Sequence, residues 1–255
     1  KPSQKFGGQI KEITMGSGLK LGGESVLPFY SFDGDIGHKP AVGMEVWDVF
    51  PDAWPESLKN VFKDVADDPV KWAKLCEEKY SPDFICIRYI GASPDGADKS
   101  PEECAQVVKD LIEQVKLPLV IAGCDSNEKN GKIFTKIAEA VPDKRYVFFS
   151  AVEGNYKEVG ASVGMAYGNI VAAESSVDLN LAKQLNILIN QLGVKYDNMV
   201  MDPGCSAVGY GFEYVITTMD RIKLAALDQK DATLQLPMIL PVSFDRSGET
   251  LCSLL

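Results

Sequence analysis

Ile170-Val-Ala-Ala-Glu-Ser-Ser-Val-Asp178-Leu-Asn-Leu-Ala-Lys-Gln-Leu-Asn-Ile-Leu-Ile-Asn-Gln-Leu-Gly193-Val-Lys-Tyr-Asp-Asn-Met199-Val-Met201 holds one complete structural unit of this chain. It opens with a short apolar run, Ile170–Ala173, and ends on another, Met199–Met201. Between them Leu181, Ala182, Leu185, Leu188, Ile189 and Leu192 recur at helical spacing. Ser175 with Asp178 supplies a capping signal at the start, and Gly193 is placed to end the helix. An apolar run, an amphipathic helix and a second apolar run describe two parallel strands joined by a crossover.

The same unit repeats outward in both directions. Further apolar runs at Val26–Tyr30, Phe84–Ile90, Leu117–Ala122, Tyr146–Ser150 and Met238–Val242 are near-continuous rather than alternating, which suits strands buried on both faces. Ser100, Pro101 and Glu103 fit N-cap, N1 and N3 of a capping box ahead of the stripe Cys104, Val107, Val108, Leu111, Ile112 and Val115. Asp68-Pro69 starts the helix bearing Trp72, Leu75 and Cys76 by the same logic. The pattern predicts an α/β fold, a TIM-type (β/α)8 barrel formed as one domain over 1–255. An N-terminal hairpin is expected at about 9–21, around Gly16-Ser-Gly18, and a long rim insertion at about 34–66. Trp47, Phe50, Trp54 and Phe62 in that insertion are expected to cover a ligand or dock a partner. Phe244 is followed only by Asp-Arg-Ser-Gly-Glu-Thr-Leu-Cys-Ser-Leu-Leu255, so the last βα unit is expected to be missing or altered.

Composition narrows the function. Hydrophobic residues at 45% and charged residues at 24% are those of a globular domain with a sizeable core. With 26 basic and 36 acidic side chains, the net charge of −10 repels nucleic acid and anionic lipid. No run approaches the roughly 20 apolar residues of a membrane span, and Lys1–Ile13 lacks the apolar core of a secretory signal, so a cytoplasmic location is expected. Cys76, Cys86, Cys104, Cys124, Cys205 and Cys252 form no C-x-x-C pair, so any iron–sulfur centre is expected in a partner.

Barrel sites are assembled from the loops that follow the strands. Those loops are Ser31-Phe32-Asp33-Gly34, Gly123-Cys124-Asp125-Ser126-Asn127, Ala151-Val152-Glu153-Gly154-Asn155, Glu174-Ser175-Ser176, Asp202-Pro203-Gly204 and Ser243-Phe244. Their carboxylates and amides suit a polar ligand pocket, although Ser126, Ser175 and Asp33 are equally well placed as helix caps or turn formers. Asp202 has no identified acid/base partner. Arg88 lies within an apolar strand, where an internal ion pair competes with ligand binding. His38 is the only histidine, which excludes a multi-histidine metal site and confines any Ser-His-Asp triad to its surroundings. Cys124 and Cys205 fall at strand ends, where a small buried apolar role competes with a nucleophilic one. Gly204, Gly209 and Gly211 match no nucleotide-binding loop. No residue is assigned a catalytic role and none a metal.

Specific runs point further. Leu27-Pro-Phe-Tyr30, Met44-Glu-Val-Trp-Asp48, Ser93-Pro-Asp-Gly96 with Lys99-Ser-Pro-Glu-Glu103, Ala166-Tyr-Gly-Asn169, Asp178-Leu-Asn-Leu-Ala-Lys-Gln-Leu-Asn-Ile187 and Met201-Asp-Pro203 with Gly209-Tyr-Gly-Phe-Glu-Tyr214 occur in this order. Together they resemble the small (delta) subunit of the corrinoid iron–sulfur protein of the acetyl-CoA decarbonylase/synthase (CO dehydrogenase/acetyl-CoA synthase) system, over roughly Phe6 to Phe244. The resemblance implies a TIM-barrel subunit, non-catalytic by itself, forming a heterodimer with a large corrinoid iron–sulfur subunit. That large subunit would hold a [4Fe-4S] cluster and share a cobamide, a cobalt corrinoid, with the barrel. The cobamide would carry a methyl group from methyltetrahydrofolate, through a separate methyltetrahydrofolate:corrinoid methyltransferase, to acetyl-CoA synthase/CO dehydrogenase in the reductive acetyl-CoA (Wood–Ljungdahl) pathway. Ser31, Phe32, Asp33, Asp125, Asn127, Glu153, Asn155 and Asp202 are the rim residues expected to face that cofactor. Gly204-Cys205-Ser206 departs from the small hydroxylated residues and glycine that the resemblance leads one to expect after Asp202-Pro203. The alternative is a barrel methyltransferase that binds methyltetrahydrofolate itself, with Asp33, Asp125, Asn127 and Asp202 in its pocket.

Overall fold

A computed structural model describes residues 4–142, 144–206, 209 and 211–242. The hairpin β1 (Glu12–Thr14) and β2 (Lys20–Gly22) comes first, its strands antiparallel with Ile13 opposite Leu21. Then follow β3 (Gly43–Trp47), α1 (Glu56–Phe62), α2 (Pro69–Tyr80), β4 (Phe84–Arg88), α3 (Pro101–Gln114), β5 (Leu119–Ala122) and α4 (Asn127–Ala140). The chain continues through β6 (Val147–Ala151), α5 (Tyr156–Val159), β7 (Ile170–Glu174), α6 (Leu179–Gln191), β8 (Met199–Asp202) and α7 (Phe212–Leu227).

One sheet takes β3 to β8 in sequential order, with parallel registers from β3 through β6. Sequential parallel order joined by helices is the order of a (β/α)8 barrel; a doubly wound sheet reverses its order at a switch point. A seventh segment adds itself to β8 through the parallel bridge Met201–Met238, where the Met201 N–H donates to Pro237 O at 2.9 Å and the Ile239 N–H to Met201 O at 2.8 Å. The expectation of a missing or altered last unit, and the rim pair Ser243-Phe244, lie outside the described residues. No helix among the described residues is long and apolar enough to cross a membrane.

The first strand of the sheet is not where the apolar runs place it. Val26–Tyr30 is a pair of successive turns, with the Tyr30 N–H donating to Leu27 O at 3.2 Å and the Asp33 N–H to Tyr30 O at 2.9 Å. Pro28 removes a ladder donor, and Phe29 adopts a φ of 69°, so the segment cannot pair as a strand. The strand is β3, inside the stretch expected as a rim insertion. Its residues alternate, Met44-Glu45-Val46-Trp47, and so escape a search for continuous apolar runs.

The chain divides into two compact units, one drawn from Lys1–Thr14, Lys20–Pro40 and Ala172–Leu255, the other from Met15–Leu19 and Ala41–Val171. In the second unit Ile85, Ile87, Leu119, Ile121 and Phe148 share one face of the sheet and are buried. Phe148 meets Phe134 of α4 edge-on at 5.6 Å, so this is the helix-covered face. Glu45, Trp47, Cys86, Arg88, Val120, Ala122 and Phe149 lie on the opposite face by the same register. The capping box of α3 forms as its sequence requires: the Glu103 N–H donates to Ser100 Oγ at 3.2 Å, and the Ser100 N–H to Glu103 Oε2 at 2.7 Å. Asp68 caps α2 by accepting the Val70 and Lys71 N–H groups at 3.0 and 3.2 Å.

The aromatic residues of the supposed insertion face inward. Trp47 meets Trp54 at 5.2 Å, Trp54 meets Trp72 at 5.6 Å, and Phe62 meets Trp72 at 5.4 Å. Trp72 of α2 is fully buried; Phe62 and half-buried Trp54 pack on it and half-buried Trp47 on Trp54, so three of the four aromatics expected to cover a ligand or dock a partner pack against their own chain. In the first unit α6 starts on Asp178, whose Oδ1 accepts the Asn180 and Leu181 N–H groups at 2.7 and 3.1 Å. Ser175 is not its cap. It is buried, and its N–H donates to Asp202 O at 2.9 Å.

Candidate functional site

The second unit presents the C-terminal ends of β3, β4, β5 and β6, and polar groups collect at each. Arg88 ends β4 with its Nε 3.0 Å from Glu45 Oε1, while the Trp47 indole N–H donates to the same oxygen at 2.7 Å. Its guanidinium also stands 6.0 Å from the Phe149 ring centre. The internal ion pair is therefore what the strand arginine makes, on the sheet face away from the helices. Burial, with Glu45 adding to it, pushes the adjacent Cys86 thiol up.

One residue past β3, Asp48 has a side chain wholly out of water. Its Oδ1 accepts the Gly91 N–H at 2.8 Å, and Lys99 Nζ lies 3.2 Å from Oδ2 and donates to the Asp48 carbonyl. Gly91 has no room for a side chain, since a Cβ there would stand 2.9 Å from Asp48 Oδ2 and 2.5 Å from Val49 Cγ1. Glu45, Asp48 and Lys99 did not emerge as site residues from the strand-end reading. The one signal for them was their position in Met44–Asp48 and Lys99–Glu103, two of the runs that carry the resemblance.

After β5, Asp125 and Asn127 are exposed, and Ser126 between them caps α4 by accepting the Lys129 N–H at 3.3 Å. Asn130 closes this loop, its Oδ1 accepting the Cys124 N–H and its Nδ2 donating to Cys124 O, both at 2.8 Å. Burial raises the pKa of the Cys124 thiol, which argues against a nucleophilic role. After β6, Glu153 is exposed, whereas Asn155 is buried and turned into its own loop. Asn155 Oδ1 accepts the Val152 N–H at 2.8 Å.

In the first unit Asp202, at the end of β8, is buried, and its Oδ1 accepts the Gly204 N–H at 2.8 Å. Glu174, ending β7, is buried too. The loop after β7 holds Ser176 at φ 46° and Val177 at φ 65°, a costly conformation for a β-branched residue, with the Val177 N–H donating to Pro203 O at 2.6 Å. Ser31, Phe32 and Asp33 follow no strand; they belong to a closed loop spanning 25–35. Ser31 and Phe32 are exposed, and half-buried Asp33 accepts the Gln4 N–H at 3.2 Å. His38 Nε2 lies 2.6 Å from Glu12 Oε2.

Of the expected residues, the structure thus leaves Ser31, Phe32, Asp125, Asn127 and Glu153 open to a ligand, Asp33 partly so, and commits Asn155 and Asp202 to local hydrogen bonds. Among the described residues no group of three or more His, Cys, Asp or Glu is arranged to hold a metal ion.

Comparison with known proteins gives a consistent result. The family described as CO dehydrogenase/acetyl-CoA synthase delta subunit matches residues 9–244. The chain is similar to the acetyl-CoA decarbonylase/synthase complex subunit delta of Methanothermobacter thermautotrophicus, 33% identical over 242 residues, covering 93% of this chain and 61% of that one. The subunit delta of Archaeoglobus fulgidus is 30% identical over 246 residues, covering 92% of this chain and 54% of that one. The chain spans just over half the length of these curated relatives. Among solved structures, a dihydropteroate synthase of Xanthomonas albilineans, crystallised with 4-aminobenzoic acid, superposes with a TM-score of 0.51 at 15% identity, covering 79% of this chain and 71% of that one. It is a TIM-barrel enzyme, and at that identity the likeness concerns the fold alone.

Proposed function

Because this chain belongs to the CO dehydrogenase/acetyl-CoA synthase delta subunit family, we propose that it is the small subunit of a corrinoid iron–sulfur methyl carrier. With a large corrinoid iron–sulfur subunit it holds and shields a cobamide. Cobalt, when the cobamide is bound, supplies the chemistry that accepts a methyl group originating in methyltetrahydrofolate and gives it up to acetyl-CoA synthase. This chain's residues do no bond breaking in that reading. The observation that carries it is the family match, which extends from before the hairpin through every described rim loop.

The exposed rim side chains fit such a group at its edge. Asp125, Asn127 and Glu153 offer carboxylate and amide oxygens that accept hydrogen bonds from the peripheral amides of a corrin. Placing the [4Fe-4S] cluster in the large subunit agrees with the cysteine spacing, which holds no C-x-x-C pair.

The test is co-purification of this chain with the large subunit, reading cobamide by its visible absorbance. Retention is expected to fall about tenfold when Asp125 and Asn127 are both changed to Ala, the loss of a few charge-assisted hydrogen bonds. Turnover of methyltetrahydrofolate with free cob(I)alamin by the isolated chain would sink the carrier reading and point to a methyltransferase.

A further inference from the structure

The loop spanning 25–35 is closed at its base and apolar at its tip. The Ser25 N–H donates to Asp35 O at 2.8 Å, and the Asp35 N–H returns a bond to Ser25 Oγ at 3.1 Å. Val26 is buried beneath it. Two more ties fix its foot: the His38 N–H donates to Gly22 O at 2.9 Å, and the His38 ring holds Glu12 of β1. Such compact surface loops with their ends tied together are often functional. At the tip Phe29 is 97% exposed at φ 69°, with Tyr30 and Phe32 beside it at 49% and 54%. A phenylalanine held in the left-handed region and bare to water is disfavoured on both counts within this chain, so its advantage must come from an external contact.

We infer that Phe29 and Tyr30 form a preorganised aromatic knob that seats in an apolar pocket, rimmed by Lys and Arg, on the protein surface of a partner subunit. Three features choose this occupant. Beside Phe29 the Tyr30 and Phe32 rings stand 5.6 Å apart and tilted 55° to each other, so the tip offers no flat platform for a macrocycle. Carboxylates flank the knob: Asp33 and Asp35 each accept a backbone N–H, from Gln4 at 3.2 Å and Gly37 at 2.9 Å, and complement basic groups on a partner. A second copy of this chain is a poor occupant, since its net charge of −10 would set like against like. Aromatic anchors on a rigid loop lose little entropy on docking, which is the usual composition of an interface hot spot.

The inference rests on the reading of this chain as a subunit that binds a large corrinoid partner. The probe is therefore that large subunit, purified free of corrinoid, titrated with the full chain or with the double variant Phe29→Gly, Tyr30→Ser. Glycine suits φ 69°, so the variant keeps its fold. At least a tenfold rise in Kd is expected, together with weaker wild-type association as salt is raised from low to high ionic strength. Unchanged Kd overturns the knob; if cobamide retention by the loaded complex falls at the same time, the loop touches the cofactor instead and the carrier reading stands. Failure of the wild-type chain to bind the large subunit at all overturns the carrier reading itself, and the knob with it.

Discussion

The ends of β3 and β4 and the loop 25–35 carry the same kinds of side chain and use them in opposite ways. At β3 and β4, Glu45 faces Arg88 and Asp48 faces Lys99 with little or no water between them, and nearby Trp54 and Phe62 pack on Trp72 with Trp47 against Trp54. In the loop, Asp33 and Asp35 are bound by backbone N–H groups alongside aromatics that stand in solvent. Buried charges must be matched where they lie, because an unmatched one costs several kcal/mol. Exposed aromatics in a strained turn have no such internal reward. Candidate contact surfaces in this protein are accordingly better sought where apolar groups remain uncovered than where charges are densest.

The largest effect expected from this contrast is at Lys99. Lys99→Met leaves the Asp48 carboxylate buried with only the Gly91 N–H, and about 3 kcal/mol of stability should be lost, read as a lower urea midpoint at constant m. A loss under about 0.5 kcal/mol would mean that the pair behaves like a surface ion pair, and the contrast with the loop would collapse. Gly37→Ala tests the foot of the loop. Gly37 sits at φ 67°, and a Cβ there would approach Glu24 N and Gly22 O at 2.5 Å, contacts with backbone that cannot swing away. About 2 kcal/mol should be lost, along with partner binding through Phe29 and Tyr30. A variant as stable as wild type would show that the foot is soft and the knob is not preorganised.

How much of this was legible in the sequence depended on how far each feature reaches along the chain. The cap of α3 needs only Ser100 and Glu103, and it forms as written. The strand order follows from repeated local units. Val26–Tyr30 misled because an apolar count does not register Pro28 or a positive φ at Phe29, while β3 was hidden because its two faces meet different surroundings: one lies against helices and the other holds Glu45 to Arg88. The fates of Trp54 and Phe62 are set by Trp72, a residue of another helix. Within the candidate site, Asp125 and Glu153 could be placed because they follow strands. Asn155 and Asp202 follow strands as well, yet they turn back on their own loops, a choice made by backbone path and invisible in residue type. The Asp48–Lys99 pair spans 51 residues, beyond any local pattern.

A pH titration sharpens the loop side of the comparison. Hydrogen bonds from His38 and then Lys20 hold the Glu12 carboxyl below the usual range. A depressed folded pKa means that its contribution is present above the unfolded value, about 4.3, and is lost as pH falls through the lower folded one. Stability should therefore decline in that acid window, and Glu12→Gln should flatten the decline. An unaltered acid limb in the variant would show that the Glu12–His38 bond is not what ties the foot down.

The smallest expected effect is the most discriminating. Phe29→Gly removes the left-handed penalty, about 1–2 kcal/mol for a side-chain-bearing residue, and introduces the extra backbone freedom of glycine in the unfolded chain, about 0.5–1 kcal/mol. Because the ring is 97% exposed, almost no burial is forfeited. The first term is at least as large as the second, so the free chain should be no less stable than wild type, while its affinity for the corrinoid-free large subunit drops. A marked loss of stability instead would reveal that Phe29 packs against its own chain in solution, and the loop would then resemble the ends of β3 and β4 rather than oppose them. Stability undiminished and binding diminished is the combination that only an outward-facing anchor produces, since a side chain that serves the fold cannot be deleted without cost to the fold.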